Sequence, residues 1–333
     1  MSAQYDVMGI GNAIMDFLAP VSDDFLRDQN MSKGTMTLIG QDRALMLSDT
    51  FNAKGDVQMI AGGSGANTMV GIAELGLRGA YIGKTGQDET GQALCDGFEK
   101  AGLAFRTNPI GSDTASARCM IAVTPDGERT MNTFLGASVL FDENDVDEEM
   151  VRASETLYLE GYLFDSDPAK RAFVKAAEIA RAANRKVALT LSDPFCVERH
   201  GPSFRQLVDT QCDIVFANAA ELLGLTQHKD LELALSEIER PDLVICVTQG
   251  SKGSVISDGG TRYSIPAIWV DKVIDTTGAG DQYAAGVLGG RALGLDWADA
   301  GHLGSLCAAE VIQHYGARPE RSIHELATTL TRF

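Results

Sequence analysis

Several common sequence features are missing from this chain. Its six cysteines are spread over 333 residues without a Cys-x-x-Cys pair, so neither a zinc site nor a disulfide framework is indicated. No apolar run approaches the length of a transmembrane helix, and the first ten residues lack a basic stretch followed by a long apolar one. These absences predict reduced thiols and a cytoplasmic protein that binds no membrane.

Positive charge is also scarce. The chain carries 28 Lys and Arg against 46 Asp and Glu, which gives a formal net charge of −18. Such a surface repels polyanions and excludes general nucleic acid binding. With 44% hydrophobic and 22% charged residues, the composition is that of a globular protein, not a disordered one. Any phosphate site must therefore be built from helix dipoles, a few cations and a metal ion.

Two familiar nucleotide-binding motifs are incomplete. Gly9-x-Gly11 begins a dinucleotide fingerprint, but Ile14 stands where the third glycine belongs. The run 83–85 reads Gly-Lys-Thr, yet a P-loop needs a glycine five residues earlier, where Arg78 stands. Neither a Rossmann-type site nor a P-loop NTPase is therefore expected.

The strongest positive signal is the run 273–286, which passes from apolar, β-friendly residues through Gly278-Ala279-Gly280 into small helix-compatible ones. It predicts a turn that enters a helix whose first N–H groups are unpaired and attract an anion. Asp281 then lies beside that anion hole, where it can take a proton from a hydroxyl during phosphoryl transfer. The alternative interpretation is a capping Asp after a glycine turn.

Two earlier runs carry polar residues at strand ends. Gly63, Ser64 and Asn67 lie between a predicted strand and a helix expected from about 66 to 75, and Asn67 can both donate to and accept from a hydroxyl. Asn12 and Asp16 follow a predicted strand over 5–11, and one carboxylate can accept from two vicinal hydroxyls. The alternatives are that Ser64 caps a helix and that Asp16 is a turn residue.

Strands and helices alternate between these runs. Apolar segments at 156–161, 186–191, 213–217 and 243–248 alternate with helical patterns, which predicts a parallel, helix-covered sheet with ligands at the carboxyl ends of its strands. Asp126-Gly127 between two β-rich runs, 118–123 and 129–134, predicts an antiparallel hairpin.

Together the motifs resemble the ribokinase/adenosine kinase (PfkB) family of carbohydrate and nucleoside kinases. Asp-Thr-Thr-Gly-Ala-Gly-Asp at 275–281 is similar to the C-terminal signature of that family, and the runs at 9–16, 62–67, 218–221 and 248–253 follow the family's order. The resemblance implies a single α/β domain over 1–333. Its expected fold is a three-layer α/β/α ribokinase-like one with a mainly parallel central sheet and a small β lid from roughly 15–50 and 105–140.

By this resemblance Asp281 is the catalytic base, the amides of Gly278, Ala279 and Gly280 form the anion hole, and Arg129 helps to neutralise the transferring phosphate. The sugar is held by Asn12, Asp16, Gly63, Ser64 and Asn67. Two features favour the adenosine kinase branch of the family. Ser64 stands where ribokinases more often carry Lys, and the spacing of Asn12 to Asp16 matches that branch.

The resemblance also implies sites for ATP and metal ions. Asn218 and Glu221 match an Asn-x-x-Glu motif that orders Mg²⁺ and phosphate largely through water, although capping by Asn218 is an alternative. Thr248, Gly250 and Gly253 match a nucleotide loop. Asp275 and Gly316 match a possible K⁺ site, and Gly316 is expected to end a helix over 306–315.

The expected reaction is ATP-dependent phosphorylation of the 5′-hydroxyl of adenosine, giving AMP and ADP. A kinase for a free sugar such as ribose, fructose or 2-keto-3-deoxygluconate is the alternative, and a non-catalytic nucleoside or sugar sensor is a third. Base contacts are sought at apolar positions such as Met36, Leu38, Tyr162 and Leu163. The sequence leaves open whether the protein is a monomer or a homodimer.

Overall fold

The computed structural model describes residues 3–111 and 113–330, and two β-sheets organise them. The strands are β1 (Tyr5–Ile10), β2 (Ile14–Pro20), β3 (Met36–Leu38), β4 (Gln58–Gly62), β5 (Gly79–Ile82), β6 (Ala104–Arg106), β7 (Ala117–Val123), β8 (Arg129–Phe134), β9 (Ser154–Glu160), β10 (Lys186–Thr190), β11 (Ile214–Asn218), β12 (Val244–Thr248), β13 (Ser254–Asp258) and β14 (Thr261–Ile265).

Helices cover both sheets. They are α1 (Asp23–Asp28), α2 (Gln41–Asn52), α3 (Ser64–Glu74), α4 (Glu89–Lys100), α5 (Glu148–Arg152), α6 (Asp167–Ala182), α7 (Pro194–Thr210), α8 (Ala219–Thr226), α9 (Leu231–Ile238), α10 (Ala279–Ala292), α11 (Trp297–Val311) and α12 (Ile323–Leu330). No helix within the described ranges is long and apolar enough to cross a membrane.

The larger sheet has nine strands in the order β14-β13-β12-β11-β10-β9-β1-β5-β6. Its strands are parallel from β12 to β6, β13 is antiparallel to β12, and β14 is antiparallel to β13, so β13 alone runs against the other strands of this sheet. Successive residues of β9 enter different cores: Leu157 and Leu159 pack with Phe173 of α6, whereas Tyr158 packs with Met69 of α3. Because side chains alternate along a strand, both faces are covered and the layers are α/β/α, as expected.

The smaller sheet, called the lid sheet here, has five strands in the order β3-β8-β7-β2-β4. Phe17 of β2 is buried in the same core as Phe51 of α2 and Phe98 of α4, which places these helices on one face. Asp16 and Leu18 alternate with Phe17 and therefore lie on the opposite face.

The boundaries of the lid sheet differ from the expected ones. Segments 15–50 and 105–140 supply four strands, but the fifth, β4, comes from 58–62 and pairs antiparallel with β2. Sequence analysis identified this strand only as the approach to a glycine turn, because its partner lies some 40 residues away and leaves no local trace.

One local prediction needs correction. The helix expected over 306–315 is the last part of α11, which ends at Val311, so Gly316 is not its C′ residue. The β-friendly residues at 273–277 form no strand, and the N–H of Ile274 donates to the Ile312 carbonyl beyond α11, at 2.8 Å. In the acidic run at 142–149, Asp145 is buried and pairs with Lys84 at 2.7 Å.

The small residues of α10 have a packing function. A Cβ on Gly286 would lie 2.6 Å from the Cα of Gly304 in α11, so the two backbones approach more closely than any side chain permits. The helix that begins at Ala279 thus packs closely against α11 through glycine contacts.

We expect Gly286→Ala to lower the free energy of unfolding by about 1–3 kcal/mol, because the added methyl group forces α10 and α11 apart. Urea titration followed by circular dichroism measures the change. Gly40→Ala is the matched control: it has an ordinary extended backbone and no atom within 4 Å of the new Cβ, so its cost should stay below about 1 kcal/mol. Equal losses in the two variants would contradict the packing argument.

Candidate active site

The anion-binding turn lies at the start of α10. Gly278 precedes the helix in the left-handed region, with φ 78°, and a Cβ there would lie 2.5 Å from the Cα of Ala317. The position therefore requires glycine on both conformational and steric grounds. The N–H of Ala279 donates to the Thr276 carbonyl, whereas no partner among the described residues is found for the N–H of Gly280. The free donors of the expected anion hole are thus fewer than the three amides predicted.

Asp281 lies in the first turn of α10 and faces α3. The hydroxyl of Ser64 donates to its Oδ1 at 2.6 Å, and the side-chain amide of Asn67 donates to its Oδ2 at 3.2 Å. Neither Asp281 nor Ser64 caps a helix, since Gly278 and Gly63 occupy the two N-cap positions. The capping alternatives are therefore wrong for both residues.

The environment of Asp281 tunes its acidity. Burial raises the pKa of Asp281 to about 6, and the hydrogen bonds from Ser64 and Asn67 oppose that rise. A carboxyl group with this pKa is ionised at neutral pH, yet it binds a proton more readily than an exposed Asp. These are the properties of a general base.

A second buried carboxylate, Glu160, ends β9 beside the same site. Its Oε1 accepts from the side-chain amide of Asn12 at 2.8 Å, and its Oε2 accepts from the N–H of Gly65 at 2.7 Å. Burial raises the pKa of Glu160 to about 7 despite these bonds. Sequence analysis missed Glu160; its position as a polar residue at the carboxyl end of a parallel strand was the available signal.

Gln282, which was not predicted as a site residue, connects α10 to the segment at Asn67 and to the segment at Ala317. Its side-chain amide is fully buried and donates to the carbonyls of Asn67 and Ala317, at 3.0 and 3.1 Å. Gly63 also needs to be glycine, because its φ is 112° and a Cβ would overlap the carbonyl oxygen of Asn12. The three turns at 11–12, 63–65 and 278–282 therefore form one packed unit.

Asp16 belongs to β2 of the lid sheet and is not a turn residue. Gly62 lies on the neighbouring strand, β4, and a Cβ there would be 2.5 Å from the Oδ2 of Asp16. The glycine at position 62 therefore leaves space for the Asp16 carboxylate. Burial raises the pKa of Asp16 to about 7, and the charges of Arg129 and Arg318 oppose the rise.

Arg129 does not point to a free anion site. Its Nη1 is paired with Asp275, and both side chains are nearly buried. Asp275 also accepts from the N–H and hydroxyl of Thr277, at 2.9 and 2.6 Å, and from the N–H of Gly316 at 3.1 Å. Burial alone would raise the pKa of Asp275, but these bonds and the charge of Arg129 hold the pKa below its ordinary value.

These contacts test the expected K⁺ site. Asp275 and Gly316 do meet, as the hypothesis requires. However, the groups around the carboxylate are hydrogen-bond donors and a guanidinium, whereas a monovalent cation needs lone pairs. The surroundings of this carboxylate do not fit K⁺, and the charge that K⁺ would supply is supplied by Arg129.

The expected nucleotide residues lie at the carboxyl ends of β11 and β12. Asn218 and Thr248 are paired across these strands, and Gly250 and Gly253 shape the following turn with positive φ angles of 60° and 88°. A Cβ on Gly253 would overlap the Ile265 carbonyl, so a glycine is required there. The loop is therefore positioned as predicted, although its contact with ATP stays a prediction.

Glu221 is engaged in a capping box. The side chain of Asn218 accepts from the Glu221 N–H at 2.9 Å, and Glu221 accepts from the Asn218 N–H at 2.8 Å, so the capping alternative holds. Burial raises the pKa of Glu221 to about 7, and the nearby charge of Asp193 adds to this rise. The described residues contain no cluster of three or more metal-ligating side chains. A metal there would depend mainly on water and phosphate oxygens, which Mg²⁺ accepts.

Comparison with known proteins agrees with this geometry. The family model described as pfkB family carbohydrate kinase matches residues 28–323. The chain belongs to the PfkB family of carbohydrate kinases. Members of this family transfer a phosphate to an alcohol, so the protein is a phosphotransferase with an alcohol acceptor. The family, fold class and enzyme class predicted from the sequence are confirmed.

Several relatives of this PfkB kinase are known. The structure of adenosine kinase from Sinorhizobium meliloti is similar with a TM-score of 0.87 and 42% identity, over 98% of this chain and 99% of that one. A probable sugar kinase from Rhizobium etli gives 0.87 and 41%, over 98% of both chains. Adenosine kinase of Saccharomyces cerevisiae is 24% identical over 326 residues, 92% of this chain and 94% of its own length.

The Ser64 contact gives a testable pH dependence. Asp281 is the expected base and must be deprotonated to act, so kcat should fall at low pH, near the pKa of about 6 that Asp281 has without substrate. Ser64→Ala removes a hydrogen bond to the ionised carboxylate and should raise that pKa. The acid limb of the kcat–pH profile should therefore move upward by up to about one pH unit.

The measurement is kcat at saturating substrates between pH 5 and 8, where only the pKa values of the substrate-bound enzyme appear. Ser264→Ala, an exposed serine of β14, is the control and should leave the limb unchanged. If Ser64→Ala lowers kcat by the same factor at every pH, the hydrogen bond does not tune the base.

Proposed function

We propose that the protein is an adenosine kinase, which transfers the γ-phosphate of ATP to the 5′-hydroxyl of adenosine and yields AMP and ADP. The observation that carries this proposal is the placement of Asp281: a buried, partly basic carboxylate at the N-terminus of α10, beside an unpaired backbone donor. Acid–base chemistry and anion binding meet at this point of the molecule.

In the proposed reaction, Asp281 accepts the proton of the acceptor hydroxyl as its oxygen attacks the γ-phosphorus. Ser64 and Asn67 hold the carboxylate in place and keep it ionised. The N-terminal dipole of α10 and the free N–H of Gly280 stabilise the negative charge of the transferring group. Arg129 acts on this charge only if its pairing with Asp275 is released, so its direct contact with phosphate is the weakest of the proposed roles.

ATP is proposed to lie along the carboxyl ends of β11 and β12, with Asn218, Thr248, Gly250 and Gly253 around it. Glu221, beside Asp193, would hold the waters of Mg²⁺ in this region. When bound there, Mg²⁺ would supply positive charge against the phosphates of ATP.

The preference for a nucleoside rests on the open face of the lid sheet. This face carries Asp16, and its strand register places mostly apolar side chains around that carboxylate. The residues paired in register with Asp16 across the sheet are Leu38, Thr133, Cys119 and Ile60. Two positions further along the strands, on the same face, the paired residues are Met36, Met131, Ile121, Leu18 and Gln58. A purine ring buries apolar surface on such a face, whereas a free sugar has little apolar surface to bury.

Of the four positions considered for contacts with the nucleoside base, three are exposed and one is buried. Met36 and Leu38 are 54% and 59% exposed on the lid sheet, and Tyr162, just after β9, is 39% exposed. Burial is the largest cause of the raised pKa of Tyr162, and the negative charges of Asp193 and Asp281 add to it. The hydroxyl of Tyr162 therefore lies within electrostatic reach of Asp281. Leu163 is buried in the core among residues of α6 and α7 and is not available to a substrate.

A free sugar remains the second candidate acceptor. Its support is the 41% identity to the Rhizobium etli protein, a probable sugar kinase with the same structural similarity as the adenosine kinase. The site for the phosphoryl group would be the same, and only the residues around the lid sheet would serve a different molecule.

The first test is a panel of acceptors with Mg²⁺ and ATP: adenosine, inosine, ribose, fructose and 2-keto-3-deoxygluconate. ADP release is measured for each acceptor. We expect kcat/KM for adenosine to exceed the others by at least about 100-fold, equivalent to about 2.7 kcal/mol of differential transition-state binding. A higher value for a free sugar would overturn the nucleoside assignment while leaving the kinase mechanism intact.

The role of Asp281 is tested with Asp281→Asn. The substituted amide cannot take the proton, so kcat should fall by about 10²–10⁴-fold while the acceptor still binds. Turnover and calorimetric binding of the acceptor are measured on the same preparation. Turnover within threefold of the unaltered enzyme would remove Asp281 as the base, whatever the acceptor.

A further inference from the structure

Arg318 is a half-buried cation, two of whose nitrogen atoms are shielded from water. Its Nε and Nη2 are buried and have no hydrogen-bond partner among the described residues. Two other arginines, Arg118 and Arg129, also have a buried Nε without a partner, but each of them uses another nitrogen to bind a carboxylate. Arg318 makes no such pair within residues 3–111 and 113–330, and burial lowers its pKa. Buried charged donors without partners are costly, so their presence requires an explanation.

The backbone around Arg318 is fixed on the catalytic motif. The preceding residue, Ala317, packs on Gly278, and its carbonyl accepts from the side chain of Gln282 at 3.1 Å. The N–H of Gly316 donates to Asp275 at 3.1 Å. The side chain of Arg318 therefore extends from a segment that is anchored on both sides of the anion-binding turn.

The charge that Arg318 faces is Asp16 on the open side of the lid sheet. The charge of Asp16 raises the pKa of Arg318, and the charge of Arg318 lowers the pKa of Asp16. Nevertheless, no salt bridge within 4 Å joins them. Two opposite charges that act on each other without direct contact can be joined by one small polar group that binds both.

A hydroxyl is the group that fits between these two side chains. It donates its proton to a carboxylate and accepts from a guanidinium with its lone pairs, so it satisfies both partners at once. We propose that Arg318 is an acceptor-binding residue that donates to a sugar hydroxyl whose proton Asp16 accepts. This proposal rests on the proposed role of Asp16 in holding the sugar; it does not depend on whether that sugar carries a base.

The test uses Arg318→Met, which keeps the length of the side chain but removes all donors, and Arg318→Lys, which keeps the charge but not the planar fork. The control is Arg321→Met, an exposed arginine three residues later. KM and kcat are measured with adenosine, 2′-deoxyadenosine and 3′-deoxyadenosine, and acceptor affinity is measured without ATP by calorimetry.

We expect Arg318→Met to raise KM and Kd for adenosine by at least tenfold, with kcat and the KM for ATP changed by less than threefold. For the one deoxynucleoside that lacks the contacted hydroxyl, the variant and the unaltered enzyme should bind equally well. Arg318→Lys should recover part of the adenosine affinity.

The dependence of affinity on pH gives a second readout. The groups that face Asp16 are Cys119 from β7, Arg129 from β8 and Arg318. Since ionised Asp16 is the acceptor, removing Arg318 should move the loss of affinity at low pH to a higher pH. An effect confined to kcat or to the KM for ATP would place Arg318 at the phosphates and overturn the proposal.

An equal loss of affinity for all three nucleosides would show a structural role and would also overturn the proposal. If the acceptor panel selects a free sugar, the same variants are tested with the monodeoxy analogues of that sugar. Failure of the nucleoside assignment can thus be distinguished from failure of the role of Arg318.

Discussion

The structure depends above all on the contact of Ser64 with Asp281, a hydrogen bond of 2.6 Å between residues 217 positions apart. This bond joins the N-terminal ends of α3 and α10, the two helices that follow the glycine turns. Gly65 beside Ser64 donates to Glu160, and Glu160 accepts from Asn12, so one continuous network links the ends of β1, β9, α3 and α10. The orientation of Asp281, the proposed base, is therefore set by elements that are far apart in the chain.

The same region concentrates negative charge in an already acidic protein. Asp16, Glu160, Glu221 and Asp281 are all withdrawn from water enough to raise their pKa to about 6 or 7. Buried carboxyl groups of this kind lower stability when they ionise, and they cluster at functional sites because their acidity is useful there. Arg129 and Arg318 are cations that the fold brings near this charge, and both lower the pKa of Asp16.

Much of this could be predicted from local sequence. The glycine turns, the helices that follow them and the alternation of strands and helices depend on near neighbours along the chain. The positions of Gly278, Gly63 and Asp281 follow from such patterns: the two glycines are the N-caps of α10 and α3, and Asp281 lies in the first turn of α10. The resemblance to a family added an order of motifs, which assigned the fold.

The sequence by itself thus determined which segments form turns, strands and helix starts, because steric freedom at glycine and the periodicity of apolar residues are local properties. Only the tertiary structure decided which groups meet. It brought β4 into the lid sheet, paired Arg129 with Asp275 and placed Glu160 beside Asn12. It also left two buried nitrogens of Arg318 without a hydrogen-bond partner in the described part of the chain. These outcomes depend on contacts between residues far apart in the chain, whose distances no local pattern encodes.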